Sequence, residues 1–457
     1  MSNYIPTIGT EVHVELKTDT KIFSSSKNGY GSMANNKEVI MTGIRACHVL
    51  HCNIRKVQHF DRKNYFYPDN PKNYQITEAR TPIGYDGYVE IEVDGVSKKI
   101  EIEEIHIEED TCKSAHRGSV SLLDFNRAGV PLIEIVTKPC MTSAIEAKLY
   151  LEKLRELLFY SDISDSKMEE GSMRCDANVS LRKSVNDPLG TKCEVKNIGS
   201  ISNVFLAINK EIERQSKLLD EGVSFPEQTR RYDDKLGDTV LMRVKETGND
   251  YRYFPEPDIP YVVIDDEMIE EALKKLPMSA AERTKLYIEK GMDLEHAKKI
   301  IANRMLSDYL NEFLDTDLDF KTAGNLLLGD ISFYLNKEEK RIEDTTLTSD
   351  KFLDLVSKVN DGSLTSKNVK DILELVLTSS LSIEEIIKNV GISNFTDTGA
   401  LEEIVLNVIS NNPDSVSDYK AGKDRAIKYL MGQIMKETKG SANPKLVNEI
   451  LTRELNK

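Results

Sequence analysis

Charged and short polar side chains recur at alternate positions in two neighbouring segments of this sequence. They are Arg174, Asp176, Asn178, Glu194 and Lys196. Side chains two residues apart share one face of a strand, so the pattern predicts two strands with a charged face. Asp and Asn are disfavoured in the interior of strands. The face therefore predicts a site for a charged substrate rather than an ordinary solvated surface.

Carboxylates also occur in other strand-like segments. The first alternating segment places Glu11 and His13 on one face, and the apolar run from Pro131 to Val136 contains Glu134. A carboxylate among large apolar residues is costly to bury unless it binds a cation or is protonated. A polar strand face exposed to water explains each of these carboxylates equally simply, so the patterns alone leave both interpretations open.

A third segment contains three consecutive carboxylates, Glu108, Glu109 and Asp110, and is followed by Lys113 and Ser114. Such a charge run is usually a solvated turn, but Lys and Ser in a loop also suit contact with phosphate. The combined set of carboxylates, a histidine and cations is the set used in phosphoryl transfer assisted by Mg²⁺. No GxxxxGK[ST] or GxGxxG motif is present. A nucleotide would therefore bind without a common phosphate-loop signature.

The first half of the sequence predicts strands mixed with helices. Alternation predicts strands at residues 8–16, 88–93, 99–108, 131–136, 175–181 and 193–197. A capping box from Ser143 to Glu146 starts one helix, and a second helix runs from about Asn203 to Glu221. The proline-rich segment from Phe254 to Pro260 is a candidate boundary, because proline continues neither helices nor central strands. Amphipathic helices alone are predicted after it.

Composition is that of a globular protein in a reducing compartment. Of the 457 residues, 39% are hydrophobic and 30% charged, and the six cysteines form no CxxC pair. The net charge of −15 by itself argues against nucleic acid as a partner. The segment from Tyr419 to Lys457 nevertheless has nine Lys and Arg against four Asp and Glu, which suits either a phosphate-rich partner or a solvated helix face. No run approaches eighteen apolar residues, so no membrane span is predicted.

Several long motifs resemble those of one known family. They include IGTEVHVEL from Ile8, FDRKNYFYPDNP from Phe60, HIEEDTCKSAH from His106, PLIEIV from Pro131, KMEEGSMRCDANVSLR from Lys167 and DYRYFPEPDIP from Asp250. Their order is similar to that in the B-subunit family of the aspartyl/glutamyl-tRNA(Asn/Gln) amidotransferases. The likeness covers nearly the whole chain. The chain lacks a large synthetase-like insertion, which favours the bacterial and organellar type of this family.

The resemblance implies an α+β fold in three domains. These are a cradle domain at residues 1–275 with a mixed, mainly antiparallel sheet, an all-α helical domain at 276–392 and a small helical tail at 393–457. The cradle would carry the kinase and transamidation chemistry, and the tail would contact tRNA.

The implied activity is that of a carbon–nitrogen ligase with glutamine as the nitrogen donor. ATP, with Mg²⁺, phosphorylates the side-chain carboxylate of Glu on tRNA(Gln) or of Asp on tRNA(Asn), and ammonia then displaces phosphate. No amidase motif is recognised in the chain, so ammonia would come from the A subunit, which is the amidase, and a small C subunit would complete a heterotrimer. The implied location is the cytoplasm or an organelle matrix. The residues do not decide between the two misacylated tRNAs.

The resemblance also assigns residues to roles. The expected catalytic residues are Glu11, His13, Glu108, Glu109, Glu134, Asp176, Glu194 and Lys196. The expected ATP contacts are Lys113, Ser114, Arg174, Asn178 and Lys196. His13, Glu109 and Glu134 are the expected metal ligands, although the spacing alone does not decide between Glu108 and Glu109.

The sequence departs from the family pattern before Asn36, where a Pro-Gly-x-Leu-Pro stretch is missing. Serines stand near Phe23 where many members have cysteines that bind zinc, so we expect no zinc. The missing stretch makes an inactive tRNA-binding or scaffold derivative the alternative function.

Overall fold

The computed structural model describes residues 4–24, 26, 37–118, 120–244, 251–391, 398–420, 422–438, 442 and 444–456. The chain divides into two compact units, Met1–Ser279 and Ala280–Lys457. The boundaries at 275 and 392 stay predictions. Residues 392–397, beside the second boundary, lie outside the described residues, as do residues 27–36, where the stretch is missing.

The first unit contains, in its described residues, a large main sheet and two short strand pairs. Its strands are β1 (Ile5–Glu15), β2 (Asn53–Ile54), β3 (Val57–Gln58), β4 (Asp61–Asn64), β5 (Tyr74–Thr77), β6 (Gly84–Val93), β7 (Val96–Glu109), β8 (Lys113–Arg117), β9 (Val120–Asp124), β10 (Pro131–Thr137), β11 (Met173–Arg182), β12 (Cys193–Lys196), β13 (Gln228–Asp233), β14 (Asp238–Val244), β15 (Phe254–Pro255) and β16 (Val262–Val263). The predicted strands are present, each with slightly different ends.

The main sheet has the strand order β14-β13-β12-β11-β1-β10-β7-β5-β4-β15, and β6 pairs with both β7 and β2. The pairings are antiparallel except that of β12 with β13, which is parallel. β1 lies between β10 and β11, so the first strand of the chain is an interior strand of the sheet. The predicted α+β class with a mainly antiparallel sheet is confirmed.

Helices cover the apolar face of this sheet. They are α1 (Lys37–Val49), α2 (Ala144–Tyr160) and α3 (Ile201–Asp220), and α4 (Asp266–Leu273) packs against α1. The Ser143 side chain accepts a hydrogen bond from the Glu146 amide, so α2 begins where the capping pattern predicts. Leu151 and Leu154 of α2 are fully buried in the same core as Val12 of β1. The opposite face of β1 and its neighbours is left to polar residues.

Two short strand pairs lie outside the main sheet. Among the described residues, β8 pairs with β9 alone, and β3 with β16 alone. The proline-rich segment belongs to the first unit, because its β15 strand adds to β4 at the edge of the main sheet.

The second unit is helical in its described residues. Its helices are α5 (Ala280–Glu289), α6 (Leu294–Ala302), α7 (Arg304–Asn311), α8 (Phe320–Leu326), α9 (Ser332–Lys337), α10 (Ser349–Asn360), α11 (Ser366–Thr378), α12 (Ile383–Val390), α13 (Thr398–Asn411), α14 (Pro413–Lys420), α15 (Asp424–Glu437) and α16 (Pro444–Leu455). A wider helical turn, Leu327–Ile331, joins α8 to α9, and a single tight turn, Ile342–Asp344, precedes α10. Among the described residues, no helix is both long and apolar enough to cross a membrane.

The last four helices have an apolar core of their own. Leu401 and Val405 of α13 are buried with Leu430 and Ile434 of α15 and with Leu451 of α16. The predicted tail therefore contains a packed core between residues 401 and 455.

Candidate active site

The central position of β1 brings distant parts of the sequence together. Glu11 lies opposite Asp176 of β11, and His13 lies opposite Glu134 of β10. Because alternate residues of a strand share a face, these side chains stand on the face of the sheet away from the helices. We call it the polar face. It carries two groups of potential metal ligands.

The first group consists of His13, Glu108 and Glu134, and we call it the His13 cluster. One ligand atom of each residue lies within 4.8 Å of those of the other two, and the His13 Nε2 is 3.6 Å from Oε1 of Glu134. Glu108 is fixed by hydrogen bonds from the Thr77 hydroxyl (2.7 Å) and the Gln75 amide nitrogen (3.0 Å). β5, which supplies both donors, thus holds this carboxylate toward its partners.

The two carboxylates of the His13 cluster have opposite pKa shifts. Burial raises the pKa of Glu134, and the neighbouring charge of Glu108 raises it further. Burial also opposes ionisation of Glu108, but the charges of Lys63 and His13 outweigh it, so the pKa of Glu108 is lowered. The Lys63 Nζ lies 3.9 Å from Oε1 of Glu108. A bound divalent cation would relieve the repulsion between the two carboxylates, so the donor set fits such an ion.

The second group, the Glu11 cluster, consists of Glu11, Asp176 and Glu194, whose ligand atoms also lie within 4.8 Å of one another. The Lys196 Nζ donates to Asp176 and lies 2.9 Å from Oε1 of Glu194. Burial opposes the charge on Lys196, but Asp176 and Glu194 outweigh it and raise the pKa of this ammonium. The Thr229 hydroxyl donates to Glu194 Oε2 at 3.1 Å. With three carboxylates and one ammonium group, the Glu11 cluster has a net negative charge, which also suits a divalent cation.

A cavity of about 200 Å³ adjoins the Glu11 cluster. It is lined by Thr7, Gly9, Thr10, Glu11, Val136, Thr137, Pro139, Asn178, Val179, Ser180, Leu189, Gly190 and Lys192. The Asn178 amide nitrogen donates to Glu11 Oε1 at 2.9 Å. Among the described residues, the buried Thr7 Oγ1 and Asn178 Oδ1 have no hydrogen-bond partner. Because buried polar atoms are normally satisfied, these two oxygens give the cavity hydrogen-bond acceptors that a polar ligand could use.

Comparison with known proteins assigns the family. Residues 6–270 match the model of the GatB/GatE catalytic domain, and residues 308–455 match a model described as a GatB domain. The chain belongs to the GatB/GatE family. The polar face and both carboxylate clusters thus lie in the part of the chain that matches the GatB/GatE catalytic domain.

Relatives within the GatB/GatE family are similar over their full length. Proteins named as the B subunit of aspartyl/glutamyl-tRNA(Asn/Gln) amidotransferase from Pediococcus pentosaceus and Lysinibacillus sphaericus are each 44% identical over 473 residues, covering at least 99% of both chains. The protein of that name from Geobacillus thermodenitrificans is 44% identical over 474 residues. The resemblance read from the motifs is confirmed. The aligned lengths exceed this chain's 457 residues, so these relatives carry residues that the chain lacks.

Two residues expected at the site have other partners. Glu109, the expected metal ligand, lies on the opposite face of β7 from Glu108, where it pairs with Lys72 and accepts a hydrogen bond of 2.9 Å from the Ile76 amide. Arg174 stands on the polar face, but it donates to Asp110 Oδ2 at 2.5 Å. Neither belongs to a carboxylate cluster, so Glu108 is the member of the acidic run that the geometry favours as a ligand.

Lys113 and Ser114, the other expected ATP contacts, are exposed on β8. In the part of the chain that the structure describes, β8 pairs with β9 alone and does not join the main sheet. Lys113 and Ser114 therefore belong to neither carboxylate cluster. Their proposed contact with ATP stays a prediction.

The residues that surround Glu108 were not predicted from the sequence. Lys63, Gln75 and Thr77 belong to β4 and β5, which were not predicted as strands. Their signal was the alternation of polar Gln75 and Thr77 with apolar Ile76, immediately after the motif that contains Lys63. A four-residue strand gives too few alternations for this signal to be decisive.

Proposed function

We propose that this chain is the B subunit of a tRNA-dependent amidotransferase that converts Glu-tRNA(Gln), Asp-tRNA(Asn) or both into the amide. The names of its full-length relatives support this activity. The observation that carries the proposal is the pair of carboxylate clusters on one face, with Glu11 and His13 two residues apart on β1. Two adjacent negative clusters suit a reaction in which phosphate groups and an acidic side chain must meet.

The reaction needs activation because a carboxylate and ammonia form an unreactive salt. A carboxylate oxygen of the aminoacyl side chain attacks the γ-phosphorus of ATP, and the bond to the ADP oxygen breaks. Ammonia then attacks the acyl carbon, inorganic phosphate leaves, and the nitrogen loses a proton. Divalent cations such as Mg²⁺, when bound, screen the negative charge of the phosphates.

We assign ATP to the cavity beside the Glu11 cluster. The unpartnered oxygens of Thr7 and Asn178 are available to a nucleotide there. Lys196 stands between Asp176 and Glu194, and we assign it to contact with the transferred phosphate. The Glu11 cluster would then hold one metal ion against the phosphates.

The His13 cluster is assigned to the acceptor carboxylate. Glu108 and Glu134, with His13, would hold a second ion, and Lys63 would balance the negative charge of the substrate carboxylate. A nitrogen bound to the ion cannot also accept a proton, so the His13 imidazole, which lies beside Glu134, would serve either as a metal ligand or as the base for the attacking nitrogen. In this assignment Glu108, rather than Glu109, is the metal ligand from the run of three carboxylates.

The proposed amidotransferase complex contains other subunits and binds tRNA. We propose that the A subunit, an amidase, and a small C subunit supply the ammonia, and that the assembly works in the cytoplasm or an organelle matrix, where tRNA is used. The tail, predicted at residues 393–457, has its own core and a net charge of +5 from Tyr419 onward. It is assigned to contact with the tRNA body, because cationic side chains neutralise phosphates.

The direct test is an amidation assay. The chain, combined with the A and C subunits, ATP, Mg²⁺ and glutamine, is expected to convert Glu-tRNA(Gln), Asp-tRNA(Asn) or both, with ATP consumed only when a misacylated tRNA is present. Glutamine hydrolysis in the same mixture shows that the partner amidase is active. Binding of tRNA with neither amidation nor ATP consumption would support the scaffold alternative and reject the proposal.

A further inference from the structure

Three tyrosines form a cluster of rings beside the His13 cluster, and we call it the tyrosine platform. The Tyr251 ring centroid lies 6.2 Å from that of Tyr65 and 5.8 Å from that of Tyr253, with both pairs in edge-to-face orientation. The Tyr253 side chain is 43% exposed. Aromatic rings in this arrangement leave flat faces on which a further ring can stack.

The backbone holds the platform at the edge of the main sheet. The Asn64 amide donates to the Tyr251 carbonyl at 2.9 Å, and the Asn64 side chain donates to the Arg252 carbonyl at 2.8 Å. The Tyr65 hydroxyl donates to Gln75 Oε1 at 3.3 Å. Gln75 also donates to Glu108, so the platform is connected to the His13 cluster by hydrogen bonds.

Lys63 lies between the platform and the carboxylates. Its Nζ is 5.3 Å from the Tyr251 ring centroid and 3.9 Å from Oε1 of Glu108. The Tyr251 ring is therefore no farther from Glu108 than these two separations combined. Tyr253 borders the same region through its ring contact with Tyr251.

The chemistry of this edge suits an unpaired nucleobase. In a chain of net charge −15, the segment from Arg55 to Tyr74 has five Lys and Arg against two Asp and Glu, and one of those acids, Asp61, is fully buried. Phe66 and Tyr67, next to the platform in sequence, are 79% and 64% exposed. Proteins that bind single-stranded nucleic acid combine such exposed rings with cations, because every base has a face that can stack.

We propose that the tyrosine platform stacks the terminal unpaired base of the aminoacylated tRNA, and so holds the amino acid over the His13 cluster. This inference rests on the proposed function. In an aminoacyl-tRNA the α-carboxyl is esterified to the terminal ribose, and eight or nine bonds of about 1.3–1.5 Å separate the base from the side-chain carboxylate. Because the chain bends at each atom, that carboxylate reaches roughly 10 Å from the base. The Tyr251 ring lies within that reach of Glu108. A base stacked on Tyr251 or Tyr253 therefore leaves its aminoacyl carboxylate at the carboxylate cluster.

The adenine of ATP is the competing occupant. The cavity assigned to ATP adjoins Glu11 and is lined from β1, β10 and β11, whereas the platform borders Glu108 through β4 and β15. A platform that binds the RNA end affects the KM for tRNA, and a platform that binds ATP affects the KM for ATP. The two occupants can thus be distinguished by kinetics.

The test compares Tyr253→Ala with Tyr253→Phe in the reconstituted complex. Tyr253→Ala is expected to raise the KM for misacylated tRNA roughly 5- to 100-fold, because base stacking on an aromatic ring is lost, and to leave the KM for ATP unchanged. Tyr253→Phe keeps the ring and is expected to restore the KM for tRNA. Tyr261→Ala is the matched control, since this tyrosine is 69% exposed and contacts His59 instead.

A binding measurement separates this inference from the proposed function. Deacylated tRNA(Gln) with 2-aminopurine in place of the terminal base is expected to lose fluorescence on binding the full chain, and Tyr251→Ala or Tyr253→Ala is expected to restore it. An unquenched probe with the unsubstituted chain, or an unchanged KM for tRNA in Tyr253→Ala, overturns the platform even when amidation is normal. A raised KM for ATP alone also overturns it. Failure of the unsubstituted complex to amidate rejects the proposed function and leaves the fluorescence result to decide the platform.

Discussion

Replacing Glu134 with glutamine should separate metal binding from folding. The ligand atoms of Glu134 and Glu108 lie within 4.8 Å of each other. Two unit charges at 4 to 5 Å repel by about 3–4 kcal/mol at an effective dielectric constant of about 20. The pKa of Glu134 is raised, so its ionised form opposes folding at neutral pH when no cation is bound. Glu134→Gln removes that penalty, which Lys63 already offsets in part, and should stabilise the metal-free chain by on the order of 1 kcal/mol.

The same substitution should weaken cation binding. A divalent ion attracts the Glu134 carboxylate at least as strongly as one unit charge would, by about 3 kcal/mol. Losing this attraction corresponds to a roughly 100-fold or larger loss of affinity for the ion. We expect amidation to fall by a similar factor at fixed Mg²⁺. The assay is thermal unfolding in EDTA and across a Mg²⁺ series, because a bound ion stabilises the fold by RT ln(1 + [Mg²⁺]/Kd).

Glu92→Gln is the matched control for this experiment. Glu92 is an exposed glutamate in β6 of the same sheet and belongs to neither cluster. It should leave both the unfolding temperature in EDTA and the Mg²⁺ response unchanged. If Glu134→Gln kept the full Mg²⁺ response and the full amidation rate, the argument that Glu134 is a metal ligand would be wrong.

Three further predictions concern the acidic run, the buried Glu78 and the tail. Glu109→Gln should leave the stabilisation by Mg²⁺ unchanged, because Glu109 pairs with Lys72, whereas Glu108→Gln should reduce it; the reverse order would restore Glu109 as the ligand. Burial raises the pKa of Glu78 to about 8 from 4.5, so its contribution to stability is complete below pH 4.5 and is lost as the pH rises toward 8. Urea unfolding between pH 5 and 9 should show that decline, and Glu78→Gln should flatten it; equal slopes would contradict the shift. Deleting residues 393–457 should weaken tRNA binding and reduce its salt dependence, and unchanged affinity at matched salt would remove the tail from the RNA interface.

Local patterns were sufficient to predict the strands that carry the Glu11 cluster. Alternation in β11 and β12 placed Asp176 and Glu194 on one face, and the structure pairs these strands with that face outward from the helices. The Ser143 cap and the long amphipathic helix after it were equally local. Such features depend on neighbours within a few residues, so a single sequence contains them.

The choice between Glu108 and Glu109 needed information that no local pattern contains. Consecutive strand residues point to opposite faces, so one of the two must leave the cluster. Which one leaves depends on the register of β7 with β10, where Glu108 pairs with Leu132 and His106 with Glu134. Lys63 was missed for a similar reason, because its short strand is defined by pairing with the distant strands β5 and β15.

The interior position of β1 has a consequence for synthesis of the chain. β1 leaves the ribosome before its partner residues in β10 and β11, such as Glu134 and Asp176, which come more than a hundred residues later. At about 5–20 residues per second, the nascent strand waits on the order of ten seconds with both edges unpaired and its apolar side chains uncovered. Chaperones that shield extended segments should therefore act on residues 5–15, and slowing translation should raise aggregation of newly made protein more than of refolded protein.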